Sequence, residues 1–253
     1  MNVDVLIGVI QIILIATTPL VFAAIGELVT EKTGVLNLGV EGMMLVGAVT
    51  AFVTLVITGS YVLAFTVSIL SGVLMSGLFA YLVLILMSNQ VATGLALTIF
   101  GIGLSSMIGK QYIGTPIQGL NPYFFVILSF FIVFLVGYFF YKTKVGLIFR
   151  AVGESHNSSH ALGYSVIKVR LMGILFGGCM CALSGSYMSI CYAPMWQENM
   201  TAGRGWIALA LVVFATWKPG RILVGAYIFG GVSILQMNLQ AWGVNFPGQF
   251  FNM

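Results

Sequence analysis

The sequence predicts an all-α polytopic integral membrane protein with about eight transmembrane helices, some of them broken or re-entrant. Three observations carry that prediction. Hydrophobic residues make up 60% of the 253 positions and charged residues 6%, whereas roughly a quarter of a soluble domain is charged. No charge occurs over residues 42–109, 111–141 or 171–197, and because a span takes roughly 20 apolar residues, these runs cross a bilayer repeatedly. They are apolar all round rather than striped, as suits helices held in lipid and against each other. Residues 1–253 therefore read as one transmembrane domain.

Orientation comes from the one long water-compatible stretch, KTKVGLIFRAVGESHNSSHALGYSVIKVR at 142–170. It carries Lys142, Lys144, Arg150, Lys168 and Arg170 against Glu154, so five minus one gives +4, the net charge of the whole chain. A basic loop between apolar segments lies in the cytoplasm. The basic balance thus reports topology and gives no reason to invoke nucleic acid. Five crossings before Lys142 put the N-terminus outside.

The first span is expected at 5–28. Asp4 is its only charge before Glu27, so it lacks a basic n-region and reads as a retained helix rather than a removed signal. Pro19 interrupts it, and Thr17 and Thr18 stand where hydroxyls can satisfy the backbone groups a proline frees. Residues 26–48, GELVTEKTGVLNLGVEGMMLVGA, gather Glu27, Glu31, Lys32, Asn37 and Glu41 among five glycines. Ionisable residues at membrane depth face a cavity or a partner helix. Glycines among them indicate a broken helix, tolerated where backbone is packed in protein or lines a cavity. Asn37 and Glu41 are four apart and would share one face of a helix. They read as pathway residues or as an interhelical hydrogen bond; Glu27, Glu31 and Lys32 also fit a simple interfacial turn.

Further spans are expected at 35–57, 61–87, 92–109 and 123–141. Ser68, Gly72, Ser76 and Ala80 recur every four positions, making a face for close helix approach. The polar break 88–94 offers Asn89, Gln90 and Thr93 as hydrogen-bonding groups for a solute, or as helix caps. After the basic loop, 171–192 contains Gly173 and Gly177 in a GxxxG spacing. Residues 207–217 are short for a span, a hint of a discontinuous helix, and 222–241 form the last full one. Arg204 and Trp206, just before the short segment, could meet a solute hydroxyl and stack on a base; a salt bridge to Glu198 and an interfacial anchor are the alternatives. Cys179, Cys181 and Cys191 lack metal-ligand spacing and read as small core residues. His156 and His160 are four apart but have no clear third ligand, so no metal is expected.

The run TEKTGVLNLGVEGMMLVGA closely resembles the signature of permease subunits of bacterial ABC importers for nucleosides and simple sugars. The VEGMM version is similar to the nucleoside branch. The segments at 146–154 and 161–165 resemble the family's cytoplasmic coupling helix, and GRGWIALALV at 203–212 resembles another family segment. The resemblance implies a permease that moves nucleosides or related sugar-containing solutes by alternating access; a ribose-type sugar permease is the alternative. It implies partners: an ABC ATP-binding subunit, a second permease (a homologous heterodimer, with a homodimer as alternative) and an extracytoplasmic binding protein or lipoprotein. It assigns ATPase coupling to Arg150, Ala151, Val152, Gly153, Glu154 and Gly163, and places the chain in a bacterial cell membrane. Asn157-Ser158-Ser159-His160 departs from the usual proline and arginines, which bears on ionic contacts with the ATPase. Relatives continue past Phe246 into one more apolar helix, so the short end reads as a truncation.

No GxxxxGK[ST] loop occurs, so ATP and magnesium are expected on the partner and no cofactor on this chain. No catalytic triad, carboxylate pair or HExxH appears, which argues against an enzyme. An ion-coupled secondary transporter would instead need Glu27 or Glu41 to bind its ion.

Overall fold

The computed structural model describes residues 3–241. The helices in chain order are α1 (Val3–Lys32), α2 (Val40–Thr58), α3 (Tyr61–Ala80), α4 (Gln90–Gly109), α5 (Tyr123–Lys142), α6 (Lys144–Glu154), α7 (His156–Ala161), α8 (Val166–Tyr187), α9 (Arg204–Phe214) and α10 (Pro219–Ala241). π-helical turns extend α3 through Tyr81–Ile85 and α8 through Met188–Tyr192. Among the described residues, six helices are long and apolar enough to cross a membrane, α1 to α5 and α8; α9 is a shorter apolar helix of 11 residues and α10 runs for 23. Each of the eight expected segments contains a helix, in the expected order, but the second starts at Val40 rather than residue 35 and the seventh ends at Phe214 rather than residue 217. The expectation about the C-terminal end falls on residues 246–253, outside the described ones.

α8 is the hub, packed against α1, α2 and α3, while α1 also touches α5, α9 and α10. Apolar side chains gain nothing from meeting each other instead of lipid, so helices here associate by close backbone approach and hydrogen bonds. The small residues make that approach possible. Ser68 donates to the carbonyls of Gly47 (2.9 Å) and Ala182 (3.1 Å), joining α3 to α2 and α8. Gly72 and Ser76 lie directly against Gly178, so neither tolerates a larger neighbour. Gly173 receives Thr33, just past the end of α1, and Gly177 receives Thr30 of α1, which donates to the Gly173 carbonyl at 3.3 Å. Both predicted small-residue faces are thus helix contacts.

Pro19 lies inside α1 and removes the N–H that would bond the carbonyl of Ile15. Thr17 and Thr18 do not replace it, contrary to the sequence expectation. Their hydroxyls donate to Ile13 and Leu14. The freed Ile15 carbonyl accepts instead from the Tyr187 hydroxyl of α8 at 2.9 Å, and Ser184 donates to the Pro19 carbonyl at 2.7 Å. α8 therefore supplies, from across the bundle, the donor that Pro19 removes from α1.

Candidate functional site

The chain between α1 and α2, residues 33–39, leaves the helix and stays buried for most of its length. Gly34, at φ +83°, makes the turn out of α1. Each backbone group exposed by the break needs a partner inside protein, and several are visible. The Glu27 carboxylate accepts the Asn37 N–H at 2.9 Å, and the Asn37 side chain accepts the Gly39 N–H at 2.9 Å. Gln90 of α4 accepts the Leu36 N–H at 2.9 Å, Thr98 donates to the Leu38 carbonyl at 2.8 Å, and Arg170 of α8 donates to the Thr33 carbonyl at 3.2 Å. Asn37 and Glu41 therefore do not share a helical face: Asn37 lies in the break and Glu41 in the first turn of α2. Glu27 is fully buried on α1, which runs through Lys32, so the reading as an interfacial turn fails there.

Glu41 reaches the second break. Its Oε1 accepts the Gly203 N–H at 2.9 Å and the Thr201 hydroxyl, and its Oε2 accepts the Gly205 N–H at 2.6 Å. Gly203 is the N-cap of α9, at φ +84°. Gly205 lies so close that a Cβ there would stand 2.7 Å from the backbone of Glu41. Two helix N-termini, of α2 and of α9, thus converge on one buried carboxylate. A helix N-terminus carries partial positive charge and N–H groups without helical partners, which favours a carboxylate at this place. The junction lies at middle depth: Gly42 packs on Leu97 and Thr98, halfway along α4. α9, with 11 residues, rises about 16 Å, half of a ~30 Å hydrocarbon core.

Beside the junction, the Arg204 guanidinium lies 4.8 Å over the Tyr192 ring, and Nη1 meets the Met188 sulfur at 3.5 Å. Trp206, in the first turn of α9, is 39% exposed. An ionisable group at membrane depth usually faces a cavity or a partner helix, and Arg204 turns to Tyr192 and Met188 of the segment that extends α8. Above them Trp196 is fully buried against Gly109 and the cluster around Phe52, bringing the external loop down into the bundle. Asn89 caps α4, accepting the N–H groups of Val91 and Ala92 at 3.0 and 3.1 Å, and Thr93 meets Ser88 at 2.9 Å. These residues lie at the start of α4, tied to the break through Gln90.

The basic loop folds as two helices, α6 and α7, where Ala161 ends α7 and residues 162–165 turn through Gly163 at φ +84°. The 161–165 piece is therefore a turn past its first residue, Ala161, which ends α7. Thr143 caps α6, accepting the Gly146 N–H at 3.0 Å. α6 buries Phe149 and Val152 and leaves Val145, Leu147 and Leu162 beyond it exposed. Gly153 sits directly on the Lys32 carbonyl and 3.3 Å from the Gly34 nitrogen, as measured from a Cβ placed on it. Arg150 lies 5.3 Å over Tyr141. A 150 Å³ cleft joins Arg150, Gly153 and Glu154 to Glu31, Lys32 and Trp217, and the Trp217 indole N–H donates to the Glu31 carboxylate. α9 is thus held at its start by Glu41 and just past its end by Glu31, both from the 26–48 stretch. Sequence reasoning missed Glu31–Trp217 and Thr201, because nothing local links residues so far apart.

A family profile described as the permease component of the branched-chain amino acid transport system matches residues 9–248. A putative glucose ABC transporter permease of Haloferax volcanii is 39% identical over 249 residues, covering 89% of this chain and 76% of that protein. A guanosine ABC transporter permease of Bacillus subtilis is 27% identical over 86% of this chain and 78% of its own length. A nucleoside ABC transporter permease of Lactococcus lactis is 28% identical over 93% and 82%. No solved structure matches. Permeases of this kind are transport components, not enzymes, and work in the plasma membrane with an ATP-binding subunit and a substrate-binding protein. The chain belongs to this permease family and is the multi-pass membrane subunit of an ABC importer.

Proposed function

We propose that this permease passes a neutral, sugar-bearing solute, a nucleoside ahead of a free sugar, beside the junction of α2 and α9. The observation that carries this reading is the Glu41 carboxylate on the N–H groups of Gly203 and Gly205. Discontinuous helices in transporters commonly offer such N-termini to anionic groups of the substrate; here the protein's own carboxylate fills the place. A phosphate or carboxylate on the solute finds no free helix end there, whereas hydroxyls can meet Arg204 and a planar ring can stack on Trp206. The relatives named for glucose, guanosine and nucleosides support a neutral solute. The 39% identity to the glucose-named relative is what keeps a free sugar in view.

In this reading Asn37 and Glu41 position the two breaks, and Asn89, Gln90 and Thr93 line the cytoplasmic exit. α6 docks on the ATPase through Arg150, Ala151 and Glu154 with the turn at Gly163; Val152, expected at that surface from the sequence, is instead buried in the bundle, and Gly153 faces inward onto α1. Motion of α6 reaches the first break through Gly153 and α9 through the Glu31–Trp217 contact. ATP and magnesium stay on the partner subunit, and a homologous second permease completes the pore.

The test is thiol labelling of Trp206→Cys, with Cys179, Cys181 and Cys191 replaced by alanine, in the assembled complex. A membrane-impermeant maleimide should react there. Guanosine, or failing that glucose, should slow the reaction, and guanosine monophosphate should not. Equal protection by the monophosphate, or no protection by any of the three, contradicts the reading.

A further inference from the structure

At the end that carries the basic loop, α5 and α10 part to leave a groove of about 1000 Å³. Its wall on α5 is Phe130, Phe134 and Tyr138, four residues apart and so on one helical face. The wall runs from phenyl rings deep in the span to tyrosine near the surface, and it ends at Lys142. Across the mouth stand Lys218 and Arg221, and α10 begins at Pro219, adding the positive end of its dipole. Among the described residues, the lining holds three cations and no acid. Lys142 and Lys218 are exposed, and Arg221 is fixed by its Nη1 donating to Thr216 at 2.6 Å. The groove is therefore amphiphilic: an apolar aromatic trough with three cations at the end that carries the basic loop.

We propose that this groove is a binding site for an anionic phospholipid of the cytoplasmic leaflet. The phosphate would lie among Lys142, Lys218 and Arg221, with an acyl chain along Phe134 and Tyr138. The argument is charge complementarity on an apolar trough of the right polarity gradient. A zwitterionic headgroup brings its own cation to a mouth that already holds three, whereas an anionic one neutralises them. Basic clusters at the cytoplasmic membrane surface attract anionic headgroups at a strength that corresponds to roughly fivefold in affinity for each cation.

The experiment is native mass spectrometry of the assembled, delipidated complex titrated with dioleoyl phosphatidylglycerol or dioleoyl phosphatidylcholine. The expected result is one tightly held phosphatidylglycerol, preferred over phosphatidylcholine by about tenfold or more. That preference should fall roughly fivefold in Lys218→Gln, an exposed single change with little risk to folding. It should vanish in the triple variant Lys142→Gln/Lys218→Gln/Arg221→Gln. Lys110→Gln, far from the groove, should leave it unchanged. Equal retention of the two lipids, an unaltered preference in Lys218→Gln, or cross-links placing a partner subunit in the groove would overturn the proposal.

Discussion

Glu41→Ala should cost the assembled importer about 3 kcal/mol or more of stability and at least a tenfold loss of uptake. Three donors lose their acceptor together: the hydroxyl of Thr201 and the N–H groups of Gly203 and Gly205. A buried donor left unmade costs about 1–3 kcal/mol, and no water reaches these groups as easily as it would reach a surface cap. The alanine also leaves the positive ends of α2 and α9 facing each other without a counter-charge. Glu41→Gln should be intermediate, since one oxygen still accepts while the amide N–H₂ points at another donor. Thermal unfolding of the purified complex, read beside uptake, checks both. Wild-type melting and wild-type uptake in Glu41→Ala would remove the junction from the account.

Gly153→Arg should abolish stimulation of the ATPase by loaded binding protein while the complex still assembles. The reason is steric. A Cβ at 153 would run into the Lys32 carbonyl and come within 3.0 Å of its carbon, so α6 must lift away from the end of α1. Gly153→Ala already imposes the clash and should weaken the stimulation severalfold. Gly163 gives the contrast: a Cβ there meets nothing, but its φ of +84° disfavours any other residue. Gly163→Ala should therefore cost only about 1–2 kcal/mol of local stability, with stimulation nearly intact. Full stimulation in Gly153→Arg would mean that α6 does not act through α1.

How much of this was legible in the chain depends on range. The fold class and the helix order were, because long uncharged runs allow little else. Both breaks were legible too: glutamates among glycines at 26–48 and an apolar segment too short to span at 207–217 are local signals. That the two breaks meet was not. Glu41 and Gly203 are 162 residues apart, and a membrane glutamate reads the same whether it binds a solute or caps a helix. The pairing of Asn37 with Glu41 failed because the four-residue rule presupposes a helix, which Gly34 and Gly39 interrupt. Thr17 and Thr18 misled for a related reason. A hydroxyl on a helix reaches the carbonyl four residues back most readily, so these two cover Ile13 and Leu14. The carbonyl that Pro19 frees lies four back from the proline itself, and only Tyr187, 172 residues along from Ile15, reaches it. Asn89 shows the opposite case: capping, one of its two local readings, is what its side chain does.

The most direct test of the account is solute uptake by proteoliposomes holding this chain, its ATPase, a second permease and the binding protein, with the energy source varied. The account predicts uptake of radiolabelled guanosine or glucose that requires ATP hydrolysis and is indifferent to collapse of sodium and proton gradients. Uptake that follows an ion gradient and proceeds without ATP would contradict it, and would turn Glu27 and Glu41 from structural carboxylates into candidate ion ligands.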